Sequence, residues 1–77
     1  MARMATISAK EMIQFLKSLG FEQVRQNGRH KFFRHPDGRT ATVPDHKGDD
    51  LGRGITNKIL KDIEASKEEF LYWHTKR

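Results

Sequence analysis

The four histidines of this chain, His30, His35, His46 and His74, are its natural proton-transfer groups, because an imidazole ordinarily titrates near pH ~6.5. Their intervals of five, eleven and twenty-eight residues match none of the compact zinc signatures such as His-Glu-x-x-His. Two-metal hydrolysis needs several carboxylates around the metals, and the local pair Asp49-Asp50 stands beside a helix start, where capping or dipole stabilisation is its expected role. No metal site and no cofactor is therefore expected. Acyl transfer has no nucleophile either: cysteine is absent, and Ser8, Ser18 and Ser66 read as helix caps or helix surface.

His30 is set apart by its neighbourhood. Gly28-Arg29-His30 puts it just past a tight turn, at the start of an aromatic run and among Arg25, Arg29, Lys31 and Arg34. An imidazole that moves protons beside cations that hold phosphate is minimal equipment for metal-free cleavage of RNA, which supplies its own nucleophile in the 2′-hydroxyl. A lone histidine near a strand start also serves structural roles, and spacing alone leaves both readings open.

Charge supports a polyanionic partner. The net charge is +5, and four of the five excess charges fall in residues 25–39, where Arg25, Arg29, Lys31, Arg34 and Arg39 face Asp37 alone. Residues 40–77 balance seven basic against seven acidic side chains. A solvated basic face is the plain alternative, but clustering on adjacent strands with interleaved aromatics favours nucleic acid.

These residues need elements to position them. Ser8 and Glu11 have capping-box spacing, so a first helix is expected from Ala9. Met12, Phe15, Leu16 and Leu19 give it one apolar stripe, and Gly20 is placed to end it near Leu19. Phe21 to Gln26 reads as a strand, Asn27-Gly28 as a hairpin turn, and His30 to His35 as the returning strand. Pro36-Asp37-Gly38-Arg39 is a turn, followed by a third strand over Thr40 to Val43 that Pro44 stops. After a polar loop over Asp45 to Gly54, Ile55, Ile59, Leu60 and Ile63 stripe a second helix from about Arg53 to Glu64, with Leu51 extending the stripe backwards. Ser66 and Glu69 cap a short last helix carrying Phe70, Leu71 and Trp73.

The expected class is α+β: a three-stranded antiparallel sheet with both main helices on one face, because so few apolar residues cannot cover two. Alternation puts His30, Phe32 and Arg34 on one side of the strand and Lys31, Phe33 and His35 on the other. With Phe33 expected to join Val24 and Val43 in the core, His30 belongs to the open face. His35 and His74 read as surface residues.

At 77 residues and 35 % hydrophobic content, one domain over residues 1–77 is the expectation. Residues 1–8 lack the apolar stretch of a signal peptide, no segment approaches the ~20 apolar residues of a membrane span, and the lack of cysteine suits the cytoplasm.

The succession Gly28-Arg29-His30, aromatic strand, His35-Pro36-Asp37-Gly38-Arg39, Val43-Pro44-Asp45-His46, Gly54 leading into Ile59-Leu60-Lys61, and Ser66-Lys67-Glu68-Glu69-Phe70 resembles the HicA family of toxins from prokaryotic toxin-antitoxin pairs. The likeness runs from about Glu11 to Phe70. It implies a fold like the double-stranded RNA-binding domain, of helix-strand-strand-strand-helix order. It further implies an mRNA interferase, an endoribonuclease with His30 as catalytic residue, and neutralisation by a HicB antitoxin, in a complex that can be of higher order. Arg25, Arg29, Lys31 and Arg34 are then the phosphate-binding set. His46 falls on a recurrent histidine position, as an auxiliary acid-base group or, preferably, as a hydrogen-bonding anchor of its loop. Arg29 stands where many members have serine, adding charge beside the phosphate, and Ile55 stands where many have threonine, where it reads as core. The alternative is a non-catalytic RNA-binding module of the same fold, although the two-residue hairpin is short for a minor-groove probe.

Overall fold

The computed structural model describes residues 7–45 and 50–76. Along the chain, β1 (Ile7–Ser8) leads into α1 (Ala9–Ser18), followed by β2 (Glu22–Asn27), β3 (His30–Arg34), β4 (Thr40–Pro44), β5 (Asp50–Leu51), α2 (Arg53–Asp62) and α3 (Lys67–Lys76). β2, β3 and β4 form an antiparallel meander in that order. This is the expected α+β architecture, compatible with the double-stranded RNA-binding-domain-like order.

α1 starts where its sequence demands. The Ser8 hydroxyl accepts the Glu11 N–H at 3.1 Å while the Glu11 carboxylate accepts the Ser8 N–H at 3.1 Å, a reciprocal cap worth about 1 kcal/mol. At the other end the N–H of Gly20 reaches Lys17 O at 3.1 Å and that of Phe21 reaches Leu16 O at 3.0 Å. This double bond requires a left-handed residue, and Gly20 has φ +101°. α1 buries Ala9, Met12, Phe15 and Leu16, and α1 and α2 pack over β4. Phe33 and Val43 meet them from the sheet, so the core lies between sheet and helices.

Four features differ from the sequence reading. Val24, expected in the core, is 57 % exposed. Its strand is outermost and exposed along its whole length, and a bulge between Gln23 and Arg25 makes Val24 the inserted residue: Gln23 pairs Phe33 and Arg25 pairs Phe32. Ile55 is 42 % exposed, whereas Thr56 is 2 % exposed and takes the inward place with Ile59, Leu60 and Ile63. Leu51 is buried not as a helix residue but through β5, which pairs with β1 as Ile7↔Leu51 and Ser8↔Asp50. That two-residue ladder ties the starts of α1 and α2 together and escapes any periodicity argument. α3 is ten residues long, as long as the other helices, and docks on α1: Phe70 is buried and meets the Phe15 ring edge-on at 5.0 Å, and Trp73 lies 5.3 Å from Phe15. Among the described residues no helix is long and apolar enough to cross a membrane.

Candidate nucleic-acid interface

The turn that delivers His30 has Gly28 and Arg29 at its centre, between the paired residues Asn27 and His30. Gly28 has φ +61° and Arg29 is not left-handed, the pattern of a type II′ hairpin with glycine at its first central position. A Cβ at Gly28 would touch nothing, so the glycine is required by its dihedral and not by space. The Gln26 side-chain amide donates to Gly28 O at 2.9 Å and fastens the turn.

His30 then occupies the first position of the central strand, with Asn27 beside it on β2 and Pro44 on β4. The N–H of Asp45 donates to Arg29 O at 2.6 Å, carrying the β3–β4 ladder one step beyond His30. The backbone of His30 is thus held from both sides while its side chain is exposed, without a hydrogen-bond partner among the described residues. His46 lies outside the described residues.

Alternation sorts the basic cluster. Phe33 is 1 % exposed on the helix side, so His30, Phe32 and Arg34 face outward. Arg25 joins them opposite Phe32, its guanidinium carbon 4.7 Å from the ring centroid. Thr40 and Thr42 of β4 lie opposite Arg34 and Phe32 and complete the face. Arg29 is exposed at the hairpin tip. Among the described residues, Arg25, Arg29 and Arg34 form no ion pair; Glu22 is the register partner of Arg34. Lys31 points to the other side, where its Nζ lies 2.7 Å from the Asp45 carboxylate. The structure therefore brings His30, Arg25 and Arg34 to one face, leaves Arg29 exposed at the hairpin tip next to His30, and separates Lys31 from them.

Arg39, the fifth cation, is likewise structural. Its guanidinium lies 5.3 Å from the Phe21 ring centroid, pairs with Asp37 at 2.7 Å and donates to Ile63 O at the end of α2. The Asp37 carboxyl is held below the usual carboxylate range chiefly by the backbone N–H of Arg39. The acidic residue within the basic segment is thereby engaged in the β3–β4 turn, away from His30.

His35 and His74 are corrected from surface residues to half-buried connectors. His35 Nε2 lies 3.1 Å from Leu19 O, its Nδ1 accepts the Asp37 N–H at 3.1 Å, and its ring packs edge-on against Phe21. The Asp37 carboxylate also lies 3.0 Å from Nδ1, so the ring ties the end of α1 to the β3–β4 turn. His74 Nε2 lies 2.8 Å from the Glu11 carboxylate, joining α3 to α1. With both occupied in packing, His30 is the exposed histidine among the described residues. The Arg25–Phe32 contact escaped the sequence reading, since it depends on the bulge at Val24; the alternation that turns the half-buried Phe32 away from the core was legible.

A family model described as the HicA toxin of bacterial toxin-antitoxin pairs matches residues 9–65, from the first residue of α1 through the close of α2. No curated protein matches the chain. The matched segment is most of the sequence and contains the complete meander, the hairpin and His30, and on that basis the chain belongs to the HicA toxin family.

Proposed function

We propose that this toxin is a metal-independent endoribonuclease that cleaves mRNA, with His30 as its general acid and base. The observation that carries the reading is the position of His30: exposed on the central strand of an uncovered sheet face, next to Arg29 and on the strand pair that carries Arg25 and Arg34, three arginines that form no ion pair among the described residues. Membership of a toxin family supplies the biological setting, a cognate antitoxin.

In the proposed reaction His30 takes the proton of a ribose 2′-hydroxyl as that oxygen attacks the adjacent phosphorus. The new bond is P–O2′ and the broken bond is P–O5′. The same proton passes from His30 to the departing O5′, leaving a 2′,3′-cyclic phosphate and a 5′-hydroxyl. Arg25 and Arg29, the arginines nearer His30, neutralise the charge that grows on the phosphorane oxygens, while Arg34, at the far end of β3, holds a neighbouring phosphate of the same strand. Lys31 contributes by fixing Asp45 and the end of the β3–β4 ladder, not by touching phosphate. We assign the inhibitor as a HicB-type antitoxin whose acidic surface covers the same face, in a complex that can be of higher order, acting in the cytoplasm.

The test is incubation of antitoxin-free protein with single-stranded RNA in excess chelator. Cleavage is expected, and His30→Ala should lower its rate by roughly 10²–10⁴-fold with fold and antitoxin binding retained. Intact RNA with the unmutated protein sinks the enzyme and leaves the RNA-binding module; an absolute requirement for magnesium sinks the mechanism.

A further inference from the structure

The open face carries a feature the catalytic reading does not use. Phe32 stands at the middle of the central strand, directed away from the core that Phe33 fills, between Arg25 on one side and Thr42 on the other. The ring is half-buried on that face, outside the core, and its described partner is the Arg25 guanidinium. Its contact with Arg25 exists only because Val24 is inserted as a bulge. Continued without the bulge from the Gln23↔Phe33 pair, the register would set Val24 opposite Phe32 and Arg25 opposite Lys31.

We propose that Phe32 and Arg25 form a stacking platform for one unpaired nucleobase of the RNA, so that the enzyme selects single-stranded segments. Bases of unpaired RNA stack on aromatic rings and guanidinium planes, contacts that a paired and stacked duplex does not offer. The surrounding charge fits the same occupant: His30 lies two residues, about 7 Å, along the strand from Phe32, and Arg34 lies the same distance on the other side. A strand of RNA laid along β3 therefore meets an arginine, an aromatic ring and the imidazole in turn. The ring holds a base while the exposed Arg25, with no ion-pair partner among the described residues, shares itself between ring and phosphate. The platform fixes the backbone beside His30, where in-line attack needs a defined sugar and phosphate. An unpaired strand reaches that geometry more readily than a helix.

This inference rests on His30 as the catalytic group, and its test is made independent of cleavage by using 2′-O-methyl strands, which lack the nucleophile. Fluorescence anisotropy compares a single strand, the matching duplex, and a strand of equal length whose central nucleotides are abasic. The base-bearing single strand is expected to bind most tightly. Phe32→Leu should weaken it about tenfold yet leave the abasic strand unchanged, and Phe32→Tyr should restore binding. Arg25→Lys, which keeps charge but not the plane, should weaken the base-bearing strand several-fold with an unaltered salt slope. Equal losses on base-bearing and abasic strands, or a duplex bound as tightly as the single strand, overturn the platform. Loss of antitoxin binding alone in these variants would instead assign the ring to the protein partner. Failure of the catalytic reading shows separately, as uncleaved 2′-hydroxyl RNA with stacking intact.

Discussion

Glu64 is the only non-glycine residue with positive φ among the described residues, at +58°. It closes α2 as Gly20 closes α1: its N–H reaches Lys61 O at 3.1 Å and that of Ala65 reaches Leu60 O at 2.9 Å. A side chain in that conformation costs roughly 1–2 kcal/mol, part of which glycine gives back by its extra freedom when unfolded. Glu64→Gly is therefore expected to stabilise the protein by about 0.5–1 kcal/mol, a rise in Tm of several degrees for a domain of this size, measurable by thermal denaturation. An unchanged or lowered Tm would show that the glutamate carboxylate offsets its backbone strain. Gly20 is bound twice over, since a Cβ there would also sit 3.1 Å from the His35 ring. The same closure was readable at Gly20 and hidden at Glu64 because glycine advertises a left-handed position and glutamate does not.

At the scale of elements, α3 is attached by an aromatic cluster and by a polar link from His74 to Glu11. Glu11 also receives the Ser8 N–H and hydroxyl. Its carboxyl is held below the ordinary value of 4.5, first by the Ser8 backbone N–H, against the opposing effect of burial, then by His74. A carboxyl lowered on folding stabilises above its unfolded pKa and loses that contribution as pH falls through its folded pKa. Denaturant melts between pH 6 and pH 3 should therefore show the wild type losing more stability on acidification below about pH 4.5 than Glu11→Gln does, the variant starting lower near neutral pH. Parallel profiles for the two proteins would place the acid sensitivity elsewhere. Local signals made most elements legible: the two capping boxes, the helical stripe of α1, the Asn-Gly turn and the alternation in β3. They failed where a partner distant in sequence decides. Ile7 with Leu51 is too short to show a period, Lys31 with Asp45 depends on where the β4 strand ends, and Arg39 with Ile63 spans the molecule. His30 was found from its setting, and its outward aim was found from Phe33 pointing in; its freedom from Lys31 was not.

Across the whole molecule, one side of the sheet carries the helices and the core, and the other carries arginines, two threonines, a ring and an imidazole. α1 and α2 lie over β4, so β2 stands beyond their cover and is exposed from Glu22 to Asn27. An uncovered outer strand of six residues is a template on which a second copy could extend the sheet. The inserted Val24 breaks the regular row of outward backbone groups, and the charges of Glu22 and Arg25 stand on either side of it. The irregularity that sets Arg25 over Phe32 thus also makes the outer edge a poor template for edge-to-edge pairing. Deleting Val24 preserves the Gln23↔Phe33 and Arg25↔Phe32 pairs while straightening the strand. The deletion variant is expected to keep its circular dichroism spectrum and to associate with rising concentration in sedimentation velocity, where the wild type stays monomeric. A monomeric variant would leave the bulge with its registering role alone.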